Sequence, residues 1–108
     1  MEVHPGVFVS SVSAEDWEAD PDVPGRMLPL YRDEGAEAGV SWFPEPVEPF
    51  GWTLPARETF LVLEGEARIE IDGGPTLEFR AGDMGCLPAG TRATWRLTTP
   101  FKDFYVIG

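Results

Sequence analysis

The chain has 108 residues, 43% of them hydrophobic and 12% aromatic, with four Trp among them. At this length folding removes roughly 65% of the unfolded chain's surface from water, which suffices for one core, so residues 1–108 read as a single domain. Nineteen acidic residues against eight basic ones give a net charge of -11, a sign that repels phosphate backbones and anionic lipid and argues against nucleic acid or a membrane as partner.

The acidity is uneven. Residues 1–50 carry 11 acidic and 2 basic groups, whereas residues 51–108 carry 8 and 6. The simplest expectation for the acidic half is a solvated face that aids solubility, with a docking surface for a basic partner as the alternative. Cys86, the single cysteine, cannot form an intrachain disulfide, and the N-terminus lacks the basic and apolar pattern of a secretory leader, so a cytoplasmic location is expected. No apolar run approaches the roughly 20 residues that span a bilayer. Flanked by Gly85 and Leu87, Cys86 reads as a small buried hydrophobe.

Taken in chain order, Val7 to Val12 forms a first strand, and Ala14 to Gly25 is an acidic loop interrupted by Pro21 and Pro24. Arg26 to Arg32 and Ala38 to Phe43 follow as strands, with Pro29 confining the first to an edge or an irregular position. Phe50 to Leu54 is a short strand among the prolines at 44, 46, 49 and 55. The apolar run Phe60, Leu61, Val62, Leu63 reads as a strand buried on both faces and ending at a turn, Glu64–Gly65. Ala67, Ile69 and Ile71 then alternate with Arg68, Glu70 and Asp72, a period of two that separates apolar from charged faces. Asp72–Gly73–Gly74 is a hairpin turn, Leu77 and Phe79 continue the alternation, and Ala81–Gly82–Asp83 is another turn. Met84 to Leu87, a face of Ala93, Trp95 and Leu97, and a closing strand from Phe101 to Ile107 complete the chain. Short strands spaced by turns, with Gly 12 and Pro 11, indicate an all-β jelly-roll or Greek-key barrel.

The segments FLVLEGEARIEIDG and AGDMGCLPAGTRATW resemble the paired motifs of the cupin superfamily, small jelly-roll barrels whose two motifs supply three histidines and a glutamate to a metal. Gly65 and Glu58 match the closing glycine and the glutamate of the first motif, and Gly82, Pro88 and Gly90 match the second. The histidine positions fall on Trp52, Leu54 and Ala93, and the final asparagine position on Leu97. A first-row metal needs three or four nitrogen, sulfur or oxygen donors converging at about 2.0 to 2.3 Å. Glu58 alone cannot supply them, so no metal and no other cofactor is expected; His4, near the terminus, reads as a surface residue. The pattern WTLPARE, FLVLEGE, AGDMGCLPAG with Trp95 and Lys102 resembles, more narrowly, the ethanolamine-utilisation and ureidoglycine-aminohydrolase cupin domains.

The resemblance implies a barrel mouth lined by Trp52, Leu54, Glu58, Ala93 and Trp95, with Phe60 deeper inside, and with Trp52 and Trp95 facing each other across Glu58. Three functions compete. The barrel is a small-molecule binder whose tryptophans stack on a planar or sugar-like ligand while Glu58 accepts hydrogen bonds. Or it is a metal-independent isomerase, lyase or hydrolase with Glu58 as general acid/base, a reading that needs a second catalytic group. Or it is a filled structural barrel in which Glu58 reaches solvent or pairs with a cation such as Arg92 or Lys102. A homodimer is expected, because a first strand at Val7 to Val12 can complete a neighbour's sheet edge.

Overall fold

Two long strands organise the molecule. The computed structural model describes residues 1–108 as ten strands without a helix: β1 Glu2–His4, β2 Val7–Phe8, β3 Glu18–Ala19, β4 Arg26–Asp33, β5 Ala36–Phe43, β6 Phe50–Thr53, β7 Glu58–Ile71, β8 Thr76–Arg80, β9 Met84–Leu87 and β10 Arg92–Ile107. β7 and β10 pair antiparallel over almost their full length, and each also serves two further neighbours. The first half of β10 pairs with β6 and its second half with β5, while β7 pairs with β9 through Glu58–Leu61 and with β8 through Glu66–Glu70. All pairings are antiparallel, and β3 and β4 extend the sheet beyond β5. The result is an all-β barrel with two faces joined through the shared long strands.

The join is where the sequence expectation needs correction. Glu64–Gly65 is not the end of a strand but a bend inside β7, matched by a register shift between Thr98 and Lys102 on β10. Gly65 sits at φ 81°, and a Cβ there would lie 2.4 Å from the Pro100 carbonyl and 2.6 Å from that of Thr98. Both the positive φ and the close backbone approach require glycine, which lets the strand bend without breaking its ladder.

Side chains alternate along both strands as a half-buried barrel wall demands. Phe60, Val62, Ala67 and Ile69 of β7 and Ala93, Trp95, Phe101 and Tyr105 of β10 belong to one buried cluster with Met27, Phe43, Leu54 and Leu87. Leu61 and Leu63 point the other way and are only partly buried, so the 60–63 run is not buried on both faces as expected. A smaller apolar layer lies on the outer face of β4 and β5, where Leu28 and Val40 are cross-strand partners, each 5% exposed. Residues before β4 reach this layer: the Phe8 ring lies 6.2 Å from Tyr31, and Trp17 lies 5.1 Å from Trp42.

Two further expectations change. Val7 to Val12 is not one strand; only Val7–Phe8 is extended, and it pairs with Glu2–His4 of its own chain. The strand on which a homodimer was expected is thus shorter and uses one edge within its own chain, its other edge being unpaired, and Val3, Val7, Val9 and Val12 stay exposed. Cys86 is exposed on β9, because alternation places its neighbour Leu87 inside; hydrogen bonds to its sulfur from Thr59 Oγ1 and from Arg57 Nη1, the latter at 3.0 Å, lower its pKa.

The bend at Gly65 gives a paired prediction. Gly65→Ala should destabilise the fold by about 2 kcal/mol or more, since strain at positive φ adds to a backbone clash. Gly82→Ala, at φ 95° with open space around the new methyl, should cost about 1 kcal/mol. Urea unfolding of the two variants measures the difference, and equal losses would contradict the close approach.

Candidate functional site

A cavity of about 360 Å³ opens between the two faces of the barrel. Its walls come from five strands: Met27 and Arg32 of β4, Glu37, Ser41 and Phe43 of β5, Phe50 and Trp52 of β6, Glu58 of β7, and Trp95, Phe101, Asp103, Tyr105 and Ile107 of β10. Residues 18–23, from β3 into the following loop, close one side. Asp20 holds that loop in shape, its Oδ1 accepting from the backbone N–H groups of Asp22 at 2.8 Å and Val23 at 3.3 Å.

Of the six positions that sequence reasoning places at the site, the structure brings Trp52, Glu58 and Trp95 to this cavity. Leu54, Phe60 and Ala93 do not line it; each is 3% exposed or less and packs into the core. Leu54 is fixed there by backbone bonds with Thr91 and Gly90, at the turn after Pro88. The tryptophans do not face each other across the barrel. Trp52 stands opposite Ala93 in the β6–β10 ladder, and Trp95 is one pleat further along on the same face, so the two are diagonal neighbours on one wall. The Trp95 ring packs 5.7 Å from Phe60, which explains its burial, while Trp52 is half-exposed at the rim.

Glu58 finds no cation. It is 5% exposed, and its Oε1 is buried without a hydrogen-bond partner. Lys102, one of its expected partners, lies on the outer face, 5.7 Å from the Trp17 ring and 5.6 Å from Trp42, and the other, Arg92, is exposed. Burial pushes the Glu58 carboxyl up from 4.5 to about 8, and the negative charge of Asp103 and Asp20 adds to the shift.

Asp103 is the second buried acid, and sequence reasoning missed it. It is 3% exposed with Oδ1 unpartnered, and burial pushes its carboxyl up from 3.8 to about 7 against the pull of Ser41, its cross-strand partner. Tyr105 also enters the cavity, whereas Tyr31 lies on the outer face beside Phe8. Tyr105 stands opposite Gly39, where a Cβ would come within 3.1 Å of the phenol oxygen; the bare glycine lets the ring cross β5 and donate its hydroxyl to Glu37 Oε2. Burial and the Glu37 charge both raise the Tyr105 pKa, so it remains a phenol and a donor. The alternation of Phe101, Asp103 and Tyr105 sets an acid between aromatics, an informative exception, but Phe104 and Val106 make the opposite face as apolar in sequence.

Arg32 is the one cation lining the cavity, and it is already engaged, with Nη2 2.6 Å from Glu18 and Nε 3.4 Å from Glu37. The positions where the resembled superfamily holds a metal do not fit one here. Leu54 and Ala93 are hydrocarbon, the Trp52 indole nitrogen is a donor, and no three His, Cys, Asp or Glu side chains are grouped to hold an ion.

Residues 45–105 match the EutQ-like cupin domain family. The chain belongs to that family. It is 30% identical over 88 residues to the acetate kinase EutQ of Escherichia coli K12, covering 82% of this chain but 37% of that longer protein. A Salmonella typhimurium LT2 protein designated ethanolamine utilization protein Q superposes with a TM-score of 0.77 at 25% identity, covering 95% of this chain and 86% of the other. The EutQ protein of Clostridium difficile superposes at 0.64 with 20% identity, over 99% and 79% of the two chains, and shows the shared fold. In this cupin the motif glycines keep their structural work at bends and turns, with Gly65, Gly82 and Gly90 all at positive φ.

The buried acids set a pH dependence. A carboxyl whose folded pKa is raised holds its proton more tightly folded than unfolded, so between about pH 4 and about pH 8 the native state binds more protons and stability falls as pH rises. Glu58→Gln with Asp103→Asn should remove this component. The double variant should gain several kcal/mol relative to wild type between about pH 5 and about pH 8, each pKa unit being worth about 1.4 kcal/mol. Urea unfolding across that range checks it, and parallel pH profiles for the two proteins would refute the assignment.

Proposed function

We propose that this cupin domain is a metal-free small-molecule binder whose ligand occupies the cavity around Glu58 and Asp103. The observation that carries the reading is a pair of buried acids, each with one carboxyl oxygen lacking a partner, that both line an aromatic-walled cavity. Each unsatisfied buried polar atom costs about 1 to 3 kcal/mol, a cost that a well-packed hydrocarbon side chain would not carry. The volume lies at the lower end of small-molecule sites, which run from about 300 to 1,000 Å³, and the lining has their usual form, apolar walls with a few convergent polar groups. Phe50 and Trp52 offer ring faces near the rim, and Glu58, Asp103 and Glu37 offer acceptors.

Acid/base catalysis is the second reading, and Asp103 favours it. The group that Glu58 lacked in the sequence stands near enough to raise its pKa. Two interacting carboxyls that titrate near neutrality would let one donate a proton while the other accepts one, as an isomerase, lyase or hydrolase requires. The phosphoryl transfer named for the E. coli relative belongs to a protein of which this chain spans 37%, and it suits this cavity poorly. Phosphoryl groups are held by unengaged cations and metal ions, and Arg32 is held by two carboxylates.

A thermal-shift screen of small polar metabolites tests the binding reading. A ligand at about 100 times its Kd adds roughly 2.7 kcal/mol and should raise Tm by several degrees. Trp52→Ala should weaken that ligand about tenfold while lowering stability by less than about 2 kcal/mol, whereas Trp95→Ala should cost about 3 to 5 kcal/mol because its ring is core. A screen without a stabilising compound would overturn the proposal. Turnover lost in Glu58→Gln would decide for the enzyme.

A further inference from the structure

We propose that the ligand of this cavity is a small organic monocation, a protonated amine carrying an apolar or aromatic body, seated between the Glu58 and Asp103 carboxyls and the ring walls. The inference rests on the binding reading and specifies its chemistry.

The charged groups around the cavity are arranged for such a ligand. From β3 and the loop after it come Glu18, Asp20 and Asp22; from β4, Arg32; from β5, Glu37; from β7, Glu58; and from β10, Asp103. Glu18 and Glu37 together more than neutralise Arg32, so that trio is net negative. Asp20 is committed to its loop amides but keeps its charge facing inward enough to raise the Glu58 pKa. The two most deeply buried acids, Glu58 and Asp103, have no cation at all. An anionic ligand would meet six carboxyls and one occupied guanidinium, and a neutral ligand would gain nothing from the negative field of the remaining carboxylates. A cation satisfies both acids at once.

The walls distinguish an organic cation from a metal ion. Phe43, Phe50, Trp52, Trp95, Phe101 and Tyr105 present aromatic surface to the cavity, which attracts an ammonium over a ring face and buries an attached hydrocarbon. A hard metal ion would instead need six or more oxygen ligands in a shell, and the grouping for one is not present.

Protonation then couples to binding. With the cavity empty, burial keeps the two acids largely protonated near neutrality; an ammonium stabilises their ionised forms, so binding should release protons and tighten as pH rises. An alkyl ammonium, with a pKa near about 10, stays charged through this range.

The experiment uses three near-isosteric probes: 2-phenylethylamine, 2-phenylethanol and phenylacetate. Calorimetry at about pH 6 and about pH 8.5 should show the amine binding at least tenfold more tightly than the alcohol, the phenylacetate not binding, and amine affinity rising at least threefold with pH. Titration in two buffers of different ionisation enthalpy should report proton release with the amine alone. Glu58→Gln with Asp103→Asn, a near-isosteric change, should bring amine and alcohol to equal affinity. If the alcohol binds as well as the amine, or if the metabolite screen finds a neutral or anionic ligand while the amine is inert, the cation inference falls and the binding reading stands. If neither the probes nor any compound in the screen binds, both fall.

Discussion

Taking a carboxylate out of water costs several kcal/mol unless a cation or a set of hydrogen bonds replaces the lost hydration. This barrel buries two carboxyls, Glu58 and Asp103, and gives neither a cation. The energetic consequence is that both hold protons well above the usual carboxylate range, and Asp103 raises Glu58 further by standing near it. A fold that needed only a packed core would be more stable with hydrocarbon at both positions. The cupin resemblance makes the contrast concrete, because histidine positions of the motif, at Leu54 and Ala93, have become buried hydrocarbon while Glu58 has kept its carboxyl.

The acids meet because β7 and β10 are long, bent and paired. Glu58 lies opposite Ile107 and Val62 opposite Asp103 in the ladder, so the Glu58 end of β7 and the Asp103 end of β10 build one wall. Gly65 and the register shift at Thr98–Lys102 turn both strands, carrying Trp95 and its β6 neighbours round to the other side of the same cavity. Phe60, buried in the core and not on the cavity lining, packs 5.0 Å from Phe79 and 5.7 Å from Trp95, so the barrel behind the lining is apolar. Packing thus supplies both the geometry and the pKa.

The last 60 residues were the legible part of the chain. Alternation at Ala67, Ile69 and Ile71, and turns at Gly73, Gly82 and Gly90, fall where the structure has them, since local periodicity and positive φ are local properties. Glu58, Trp52 and Trp95 were legible because glycine-anchored motifs fix their register. Phe60, Leu54 and Ala93 share the inward face with them, but period-two reasoning gives only the face, and depth along the barrel axis decides between pocket and core. Asp103 and Tyr105 escaped for a related reason: their strand was evident, but which of its faces turned inward depends on the bulge at Thr98–Lys102, a property of the pairing. The acidic residues 18–22, read as solvated surface, cover the cavity because β3 pairs with Arg26 and Met27 of β4, a contact between two segments of no distinctive pattern.

The chemistry of the cavity turns on the protonation of two side chains, and carbon-13 NMR of the Glu58 and Asp103 carboxyls, assigned through Glu58→Gln and Asp103→Asn, reads it directly. The ligand-free protein should show both carboxyls still protonated at about pH 6 and titrating near about 8 and about 7, with coupled curves. Titration of both near pH 4, with the exposed acids, would mean that water or a cation reaches them, and would contradict the claim that the barrel holds an unpaired acid pair for a ligand to satisfy.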